Sequence, residues 1–335
     1  VTTSVPAMGD SGLESRMSHE LDEVERRLRE ATSHAEPIVD ETSRHLLAAG
    51  GKRIRPVLVL LTSQFGSGVN EQVRQAAVAT ELTHLATLYH DDVMDSAPLR
   101  RGAPSAHEVW GNSVAILTGD LLFARASQLV SELGPRAVRV QADAFERLVM
   151  GQLHETLGPR EGEDPIDHYL RVLADKTGSL IAASACYGTM LSGADREIQD
   201  AAVRYGEKVG VAFQLADDVI DLVSDSATTG KTPGTDLREG VATMPVLLLR
   251  ARAAAGTLDE AGQALLSDLD DGDLSSDEAL ADLLRRLRGH DVLDEARAMA
   301  REWSDKAIAE LGPLPESPER EALEVFAGML VDRMA

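Results

Sequence analysis

"ELTHLATLYHDDVMDSAPLRRG", residues 81–102, is the stretch on which the reading of this chain turns. It runs apolar at helical spacing as far as His90, then places Asp91, Asp92 and Asp95 within five positions, with Arg100 and Arg101 close behind. In a helix Asp91 and Asp95 are four apart, so both lie on one face about 6 Å apart along the axis. Thr87 and His84 continue the same stripe, while Leu82, Leu85 and Tyr89 point away from it into packing. Carboxylates crowded onto the end of an apolar helix need a physical reason, the more so in a chain whose formal charge is already −23.

The composition sets the frame. The 335 residues are 43% hydrophobic but only 3% aromatic, and the apolar bulk is Ala, Leu and Val, a mix that suits helices better than a sheet. Fifty-six acidic against thirty-three basic residues make a field that repels duplex nucleic acid and anionic membranes, so neither is expected as a partner. The single Cys186 excludes an intramolecular disulfide and fits a reducing, cytoplasmic setting. No uninterrupted run of 18 apolar residues occurs, so no transmembrane segment is expected. The opening "VTTSVPAMGDSG" has no basic start and no apolar core, and residues 1–17 read as a flexible tail.

Outward from the opening stretch the chain scans as helices broken by Gly and Pro. "SHELDEVERRLREAT" reads as a helix capped by Ser18 with Glu20 in its first turn. Gly50-Gly51 stop the next helix, and Pro56 sits in the first turn of another. Apolar-periodic segments cover roughly 71–95, 112–133, 136–157, 176–192 and 195–224, and "SDLDDGDLSSDE" (267–278) reads as an exposed loop. Period-2 alternation is nowhere sustained, so no strand is expected. With no repeat and no linker-like stretch, one all-helical domain over 18–335 is the simplest organisation.

A second aspartate cluster repeats the first. In "GVAFQLADDVIDLVSD", residues 210–225, Gln214, Asp217, Asp218 and Asp221 form one polar stripe beside an apolar one of Val209, Phe213, Ala216, Ile220 and Val223. Like charges at this spacing destabilise a helix, and a bound cation would reverse that penalty. Oxygen ligands without Cys or His at ligand spacing favour a hard ion such as Mg²⁺, which bridges one or two carboxylates to substrate phosphates. A solvated acidic patch is the other reading; two such clusters on apolar helices, each followed by basic residues, weigh against it.

Those basic residues sit beside glycine. "GGKRIRP" supplies Lys52, Arg53 and Arg55, "LRRG" supplies Arg100 and Arg101, and "TTGKTPGTDLREG" supplies Lys231. Flexible backbone with cationic side chains suits diphosphates, and Arg can bind them through two parallel bonds. The glycine–lysine pattern of nucleotide-binding P-loops is absent. The residues by themselves indicate Mg²⁺-dependent chemistry on phosphorylated substrates in an all-α chain.

The ordered signatures "GGKRIRP", "HDDVMDSAPLRRGAPS", "GDLLFARA", "GQLHE", "KTGSLI", "FQLADDVID" and "GKTPGTDLREG" resemble those of the trans-isoprenyl diphosphate synthases, or polyprenyl synthetases. The resemblance covers most of 20–330 and is densest between 50 and 245. It implies a single-domain helical bundle around a central catalytic cavity, usually a homodimer, with the two aspartate motifs facing each other across its mouth. By that resemblance Asp91, Asp95 and Asp217 ligate up to three Mg²⁺ ions, supported by Asp92, Asp218 and Asp221. The ions hold an allylic diphosphate (dimethylallyl, geranyl, farnesyl or geranylgeranyl), with Arg100, Lys176 and Lys231 as further contacts. Lys52, Arg55, His84 and Arg101 hold isopentenyl diphosphate.

The implied reaction is a 1′-4 head-to-tail condensation. The allylic C–O bond ionises as charge on the departing diphosphate is stabilised, and the isopentenyl double bond attacks the cation. Thr177 and Gln214 are candidates to face that cation, and the released diphosphate is the expected base. His90 abuts Asp91 but is rotated off the metal stripe and reads as a residue that either packs or supports the metal ligands, and His107 reads as a cap of the following helix. Two departures from the family pattern are Val241 where a lysine is common and Gln152 ahead of Glu155 in "GQLHE".

Product length is read from the residues before Asp91. Thr87 and Ala86 sit one turn deeper and Thr83 one turn below them, all small where short-chain members commonly carry an aromatic. The expected product is longer than fifteen carbons, with Phe123 or Met150 as candidate floor. A terpene cyclase and a non-catalytic subunit of a heteromeric synthase are the competing readings. The intact second motif "DDVID" and the paired basic residues argue against the cyclase, and the retention of both aspartate motifs argues against the subunit.

Overall fold

The computed structural model describes residues 10–223, 234–238 and 240–334. Its helices are α1 (Ser11–Ala31), α2 (Pro37–Ala48), α3 (Ile54–Thr62), α4 (Glu71–Met94), α5 (Ala106–Trp110), α6 (Asn112–Glu132), α7 (Pro135–Leu157) and α8 (Pro165–Leu173). They continue as α9 (Ser179–Leu191), α10 (Arg196–Val223), α11 (Thr235–Arg238), α12 (Met244–Ala254), α13 (Glu260–Asp271), α14 (Asp277–Arg288), α15 (Val292–Ala309) and α16 (Pro318–Asp332). The all-α expectation holds. The chain separates into two compact units, one taking residues up to Leu148 with Ser179–Glu207 and Ile308–Phe326, the other taking Val149–Gly178, Lys208–Ala307 and the residues from Ala327 onward.

In the first unit α4 is the buried axis, packed against α1, α3, α6 and α9. Leu82, Leu85 and Tyr89 are fully buried, as their side of the helix required. The Tyr89 hydroxyl donates to the Thr42 carbonyl of α2 and accepts from Leu46 N, so the tyrosine ties α4 to α2 through a satisfied buried polar group. Gly119 lets α6 approach closely: a Cβ there would run into the His90 ring and stand 3.1 Å from the Ala86 carbonyl. His90 therefore lies against α6, with Nε2 3.1 Å from the Ile116 carbonyl. It packs, as its rotation off the aspartate stripe implied.

The second unit has its own apolar core, built from α10 residues Val211, Ala212, Leu215, Val219 and Leu222 with leucines of α12, α13, α14 and α15. The expected apolar stripe of α10 is thus displaced. Val209 and Ala216 are fully buried, but Phe213, Ile220 and Val223 are only half-buried. The helix is surrounded on more than one side, so a single sequence-derived stripe could not locate its most buried line.

Other expectations need correction. Ser18 is not a cap: α1 starts at Ser11, capped by Asp10, whose side chain accepts from Leu13 N at 2.6 Å. Leu13 and Met17 extend the stripe of Leu21, Val24 and Leu28 backwards and are buried, which makes residues 11–17 helix rather than tail. Two short strands do form, Leu99–Arg100 and Ala103–Pro104, paired antiparallel around Arg101 and Gly102, both at positive φ. Two residues per strand are too few for alternation to register. Residues 267–271 belong to α13 and not to a loop. Finally, α6 is long and apolar enough to cross a membrane by length and composition alone, although charged residues interrupt it.

Candidate active site

Each unit carries one aspartate cluster. In the first, Asp91 is half-buried near the end of α4, and Asp95, exposed, is the residue that closes the helix by donating its N–H to the Asp91 carbonyl at 2.8 Å. Asp92 is fully buried on the other side and accepts from Arg100 Nε at 2.6 Å. Burial raises the Asp92 carboxyl, and the Arg100 guanidinium pulls it back toward the charged form. The hairpin beyond α4 exists to return Arg100 to this buried carboxylate.

A cationic cluster lies one to two turns below Asp91. His84 is half-buried, and its imidazole is held well below the usual histidine range, first by desolvation and then by Arg55, Arg101, Arg53 and Arg100. Arg55 is half-buried, with its Nε enclosed and without a hydrogen-bond partner among the described residues. Enclosure lowers its guanidinium to about 10, still cationic at neutral pH. Arg101 donates to the Leu46 carbonyl at 3.1 Å and to the Gly50 carbonyl. Lys52 is exposed beside them. Arg53, expected among the anion-binding residues, instead points into the interior, where its side chain is 2% exposed between Glu25 and Glu81. Neither acid was singled out in the sequence, although Glu81 lies three residues before His84 on the same stripe.

Thr83, Ala86 and Thr87 are all buried. Below them, within the first unit, is a cavity of about 10 Å³, room for about one water, lined by Ala79, Thr80, Thr83, Val130, Gln141 and Tyr187 among others. Neither expected floor residue lines it. Phe123 turns toward Phe145, with ring centroids 4.1 Å apart, and Met150 is 41% exposed.

In the second unit Asp217 is half-buried and paired with Arg333 at 3.1 Å, a guanidinium that also lies over the Phe213 ring. Asp218 is buried and accepts from the Tyr169 hydroxyl at 2.8 Å and from Met244 N at 3.2 Å. Burial pushes its carboxyl well above the usual range, which those two hydrogen bonds only partly offset. The Asp221 carbonyl accepts from Gly234 N at 2.9 Å. The π-helical turn Ala174–Gly178 places Lys176 Nζ 2.5 Å from Glu155 and Thr177 Oγ1 3.3 Å from Gln214 Oε1. Thr177 and Gln214 thus meet, and "GQLHE" is joined to "KTG" through the Glu155–Lys176 pair. Lys231 lies outside the described residues. Val241 is 39% exposed. His107 does not cap α5, whose cap residue is Ser105.

Among the described residues no three metal-ligating side chains converge by themselves. The donor set still fits a hard divalent ion, because all the candidates are carboxylates and such an ion typically takes only one or two of them, completing its shell with phosphate oxygens and water.

Comparison with known proteins closes the question of kinship. The family described as "Polyprenyl synthetase" matches residues 36–275. A nonaprenyl diphosphate synthase of Mycobacterium tuberculosis is 43% identical over 97% of this chain and 96% of its own. Geranylgeranyl pyrophosphate synthase from Corynebacterium glutamicum, solved with calcium and isoprenyl diphosphate, superimposes with a TM-score of 0.84 at 43% identity, covering 97% of this chain and 98% of that one. A polyprenyl synthase from Caulobacter crescentus, solved with the same ligands, gives 0.86 at 32% identity over 96% and 97%. The chain therefore belongs to the polyprenyl synthetase family and is a prenyltransferase of prenyl diphosphate synthesis.

Proposed function

We propose that this enzyme condenses isopentenyl diphosphate with an allylic diphosphate to give an all-trans polyprenyl diphosphate longer than C15. The observation that carries the reading is the cationic cluster in the first unit, where Arg55 offers an enclosed Nε with no hydrogen-bond partner among the described residues, beside Arg101 and a neutral His84. Such an arrangement favours a dense anion, since a buried donor without a partner is costly until a ligand satisfies it. Lys52, Arg55, His84 and Arg101 bind isopentenyl diphosphate there, and Arg100, Lys176 and Lys231 contact the allylic diphosphate.

Asp91, Asp95 and Asp217 are the proposed ligands of Mg²⁺, three ions with substrate bound, and Asp92, Asp218 and Asp221 support them. Bound Mg²⁺ supplies positive charge that stabilises the departing diphosphate. The protein's own residues do the rest. The guanidinium groups orient the isopentenyl double bond, Thr177 and Gln214 present lone pairs to the allylic carbon, and the buried walls exclude water that would quench a cation.

The small buried side chains of Thr83, Ala86 and Thr87 favour a long product. From Asp91 to Ala79 the helix descends about 18 Å. A homodimer is supported by the apolar residues that α7 leaves exposed at Val149, Met150, Leu153 and Leu157, together with Leu117 of α6. The single thiol, Cys186, is compatible with a cytoplasmic enzyme.

The test is purified protein with radiolabelled isopentenyl diphosphate, an allylic primer and Mg²⁺. Elongated products beyond C15 are expected, and Ala86→Phe should shorten them. Diphosphate release without condensation would overturn the reading in favour of a cyclase, and unchanged length in Ala86→Phe would overturn the assignment of product length to Thr83, Ala86 and Thr87.

A further inference from the structure

We propose that Glu81, Arg53 and Glu25 form a buried positioning triad for the isopentenyl diphosphate site, fixing where Lys52, Arg55 and Arg101 stand without touching substrate. The inference rests on the assignment of that site made above.

The arrangement begins with an anomaly. Arg53 is a non-glycine residue in the left-handed region, φ 51°, and it is the residue from which α3 starts. That conformation is unfavourable for a side-chain-bearing residue unless its surroundings hold it. What holds it is its own guanidinium. Nε donates to Glu25 of α1, Nη1 donates to Glu81 of α4 at 3.0 Å and to the Gly50 carbonyl at 3.3 Å. One planar group thus joins two helices to the glycine turn that precedes α3. Lys52 comes immediately before this anchor and Arg55 two residues after it, so the direction in which both cations leave the backbone is set by Arg53.

A second observation is independent of the first. The Gly50 carbonyl receives Arg101 as well as Arg53, which brings two guanidinium groups together over Gly51. A Cβ at Gly51 would stand 2.6 Å from Arg53 Nη1 and 2.9 Å from Arg101 Nη1 and would displace them, and the φ of 151° itself favours glycine there. Two guanidinium groups, Arg53 buried and Arg101 half-buried, converge on one carbonyl only if negative charge is near. Glu81 supplies it: its residue is 1% exposed, and it is the leading charge that opposes desolvation at Arg53, Arg55 and Arg101 alike. The glutamate is the common counter-ion of the cluster, and Glu25 fixes the far side of Arg53.

Such a triad is a weak source of stability, because desolvating the charges offsets much of their attraction, and geometry is the better reason for its presence. Neutralising Glu81 should let Arg53 and Arg101 move apart and spoil the anion site while leaving the aspartate clusters intact.

The experiment is calorimetric titration of isopentenyl diphosphate alone into the wild type, Glu81→Gln, Glu25→Gln, Arg53→Lys and Arg53→Met, with steady-state KM for each substrate. Glu81→Gln and Arg53→Met should bind isopentenyl diphosphate roughly tenfold or more weakly. KM for the allylic substrate should stay within about twofold, and Arg53→Lys should recover only part of the loss because it restores charge without the fork. If Glu81→Gln does not fold, Glu25→Gln, which loosens the same guanidinium from the less buried side, decides the matter by the same ratio. Folded variants whose two KM values are unchanged, or rise together, would overturn the proposal. A wild type that does not bind isopentenyl diphosphate would instead overturn the assignment of the site itself.

Discussion

The two aspartate clusters share a spacing and differ in how the fold treats it. In both, the second aspartate of the pair is buried, Asp92 at 0% and Asp218 at 2% exposure, while the first remains half-buried. Asp92 meets a cation, Arg100, delivered by a two-strand hairpin. Among the described residues Asp218 meets neutral donors, the Tyr169 hydroxyl and the Met244 amide. The same DDxxD spacing therefore yields two carboxyls that burial raises, one offset by a guanidinium and the other, raised further, offset by hydrogen bonds from a hydroxyl and an amide. The DDxxD spacing is common to both clusters, and the surrounding elements decide how each buried carboxyl is offset.

The comparison can be broken most sharply at the residues the two clusters present alike. Asp91→Ala and Asp217→Ala should each lower kcat by roughly 10²–10³-fold in the radiolabel assay, the range for removing an electrostatic contributor to leaving-group departure. An effect confined to one of them would make the clusters unequal in role.

The buried partners should separate the clusters. Asp92→Asn leaves the Arg100 guanidinium without its counter-charge and should cost about 2 kcal/mol in urea unfolding, less than for a fully buried pair because Arg100 keeps some contact with solvent. Asp218→Asn should cost less, because an amide oxygen can still accept from Tyr169 and Met244. The sign of the pH dependence follows. A carboxyl raised in the fold binds more protons in the native state, so stability falls as pH climbs from the ordinary carboxylate range toward the native value. Asp218→Asn should flatten that slope. Tyr169→Phe, losing one bond to Asp218, should destabilise by about 1 kcal/mol.

The smallest effect concerns His84. Desolvation first, and then the arginines, hold it neutral in the free protein, so a bound diphosphate should raise its pKa and take up a proton. Binding of isopentenyl diphosphate should then tighten as pH falls from 8 to 6, with a buffer-dependent enthalpy that His84→Gln reduces. Identical buffer dependence in the two proteins would exclude His84 as the acceptor.

Much of this site was legible along one helix. The stripe of Thr83, His84, Thr87 and Asp91, the inward turn of Tyr89 and the lateral role of His90 all follow from 3.6-residue periodicity within α4. Periodicity failed where a segment is enclosed on several sides, as in α10, or where an apolar stripe continues past a plausible cap, as at Ser18 in α1. Arg53 shows a different limit. In sequence it is one of three equivalent cations in "GGKRIRP", and nothing local says that it alone turns inward.

The sequence by itself determined the all-helical class, the two carboxylate clusters and the family, because each depends on residues close together in the chain or on their order. Only the tertiary structure decided which charges are compensated. Glu25, Glu81 and Arg53 come from three separate segments, as do Tyr169, Asp218 and Met244. The energy of a buried charge depends on what the fold brings within a few ångströms of it, and sequence distance carries no measure of that.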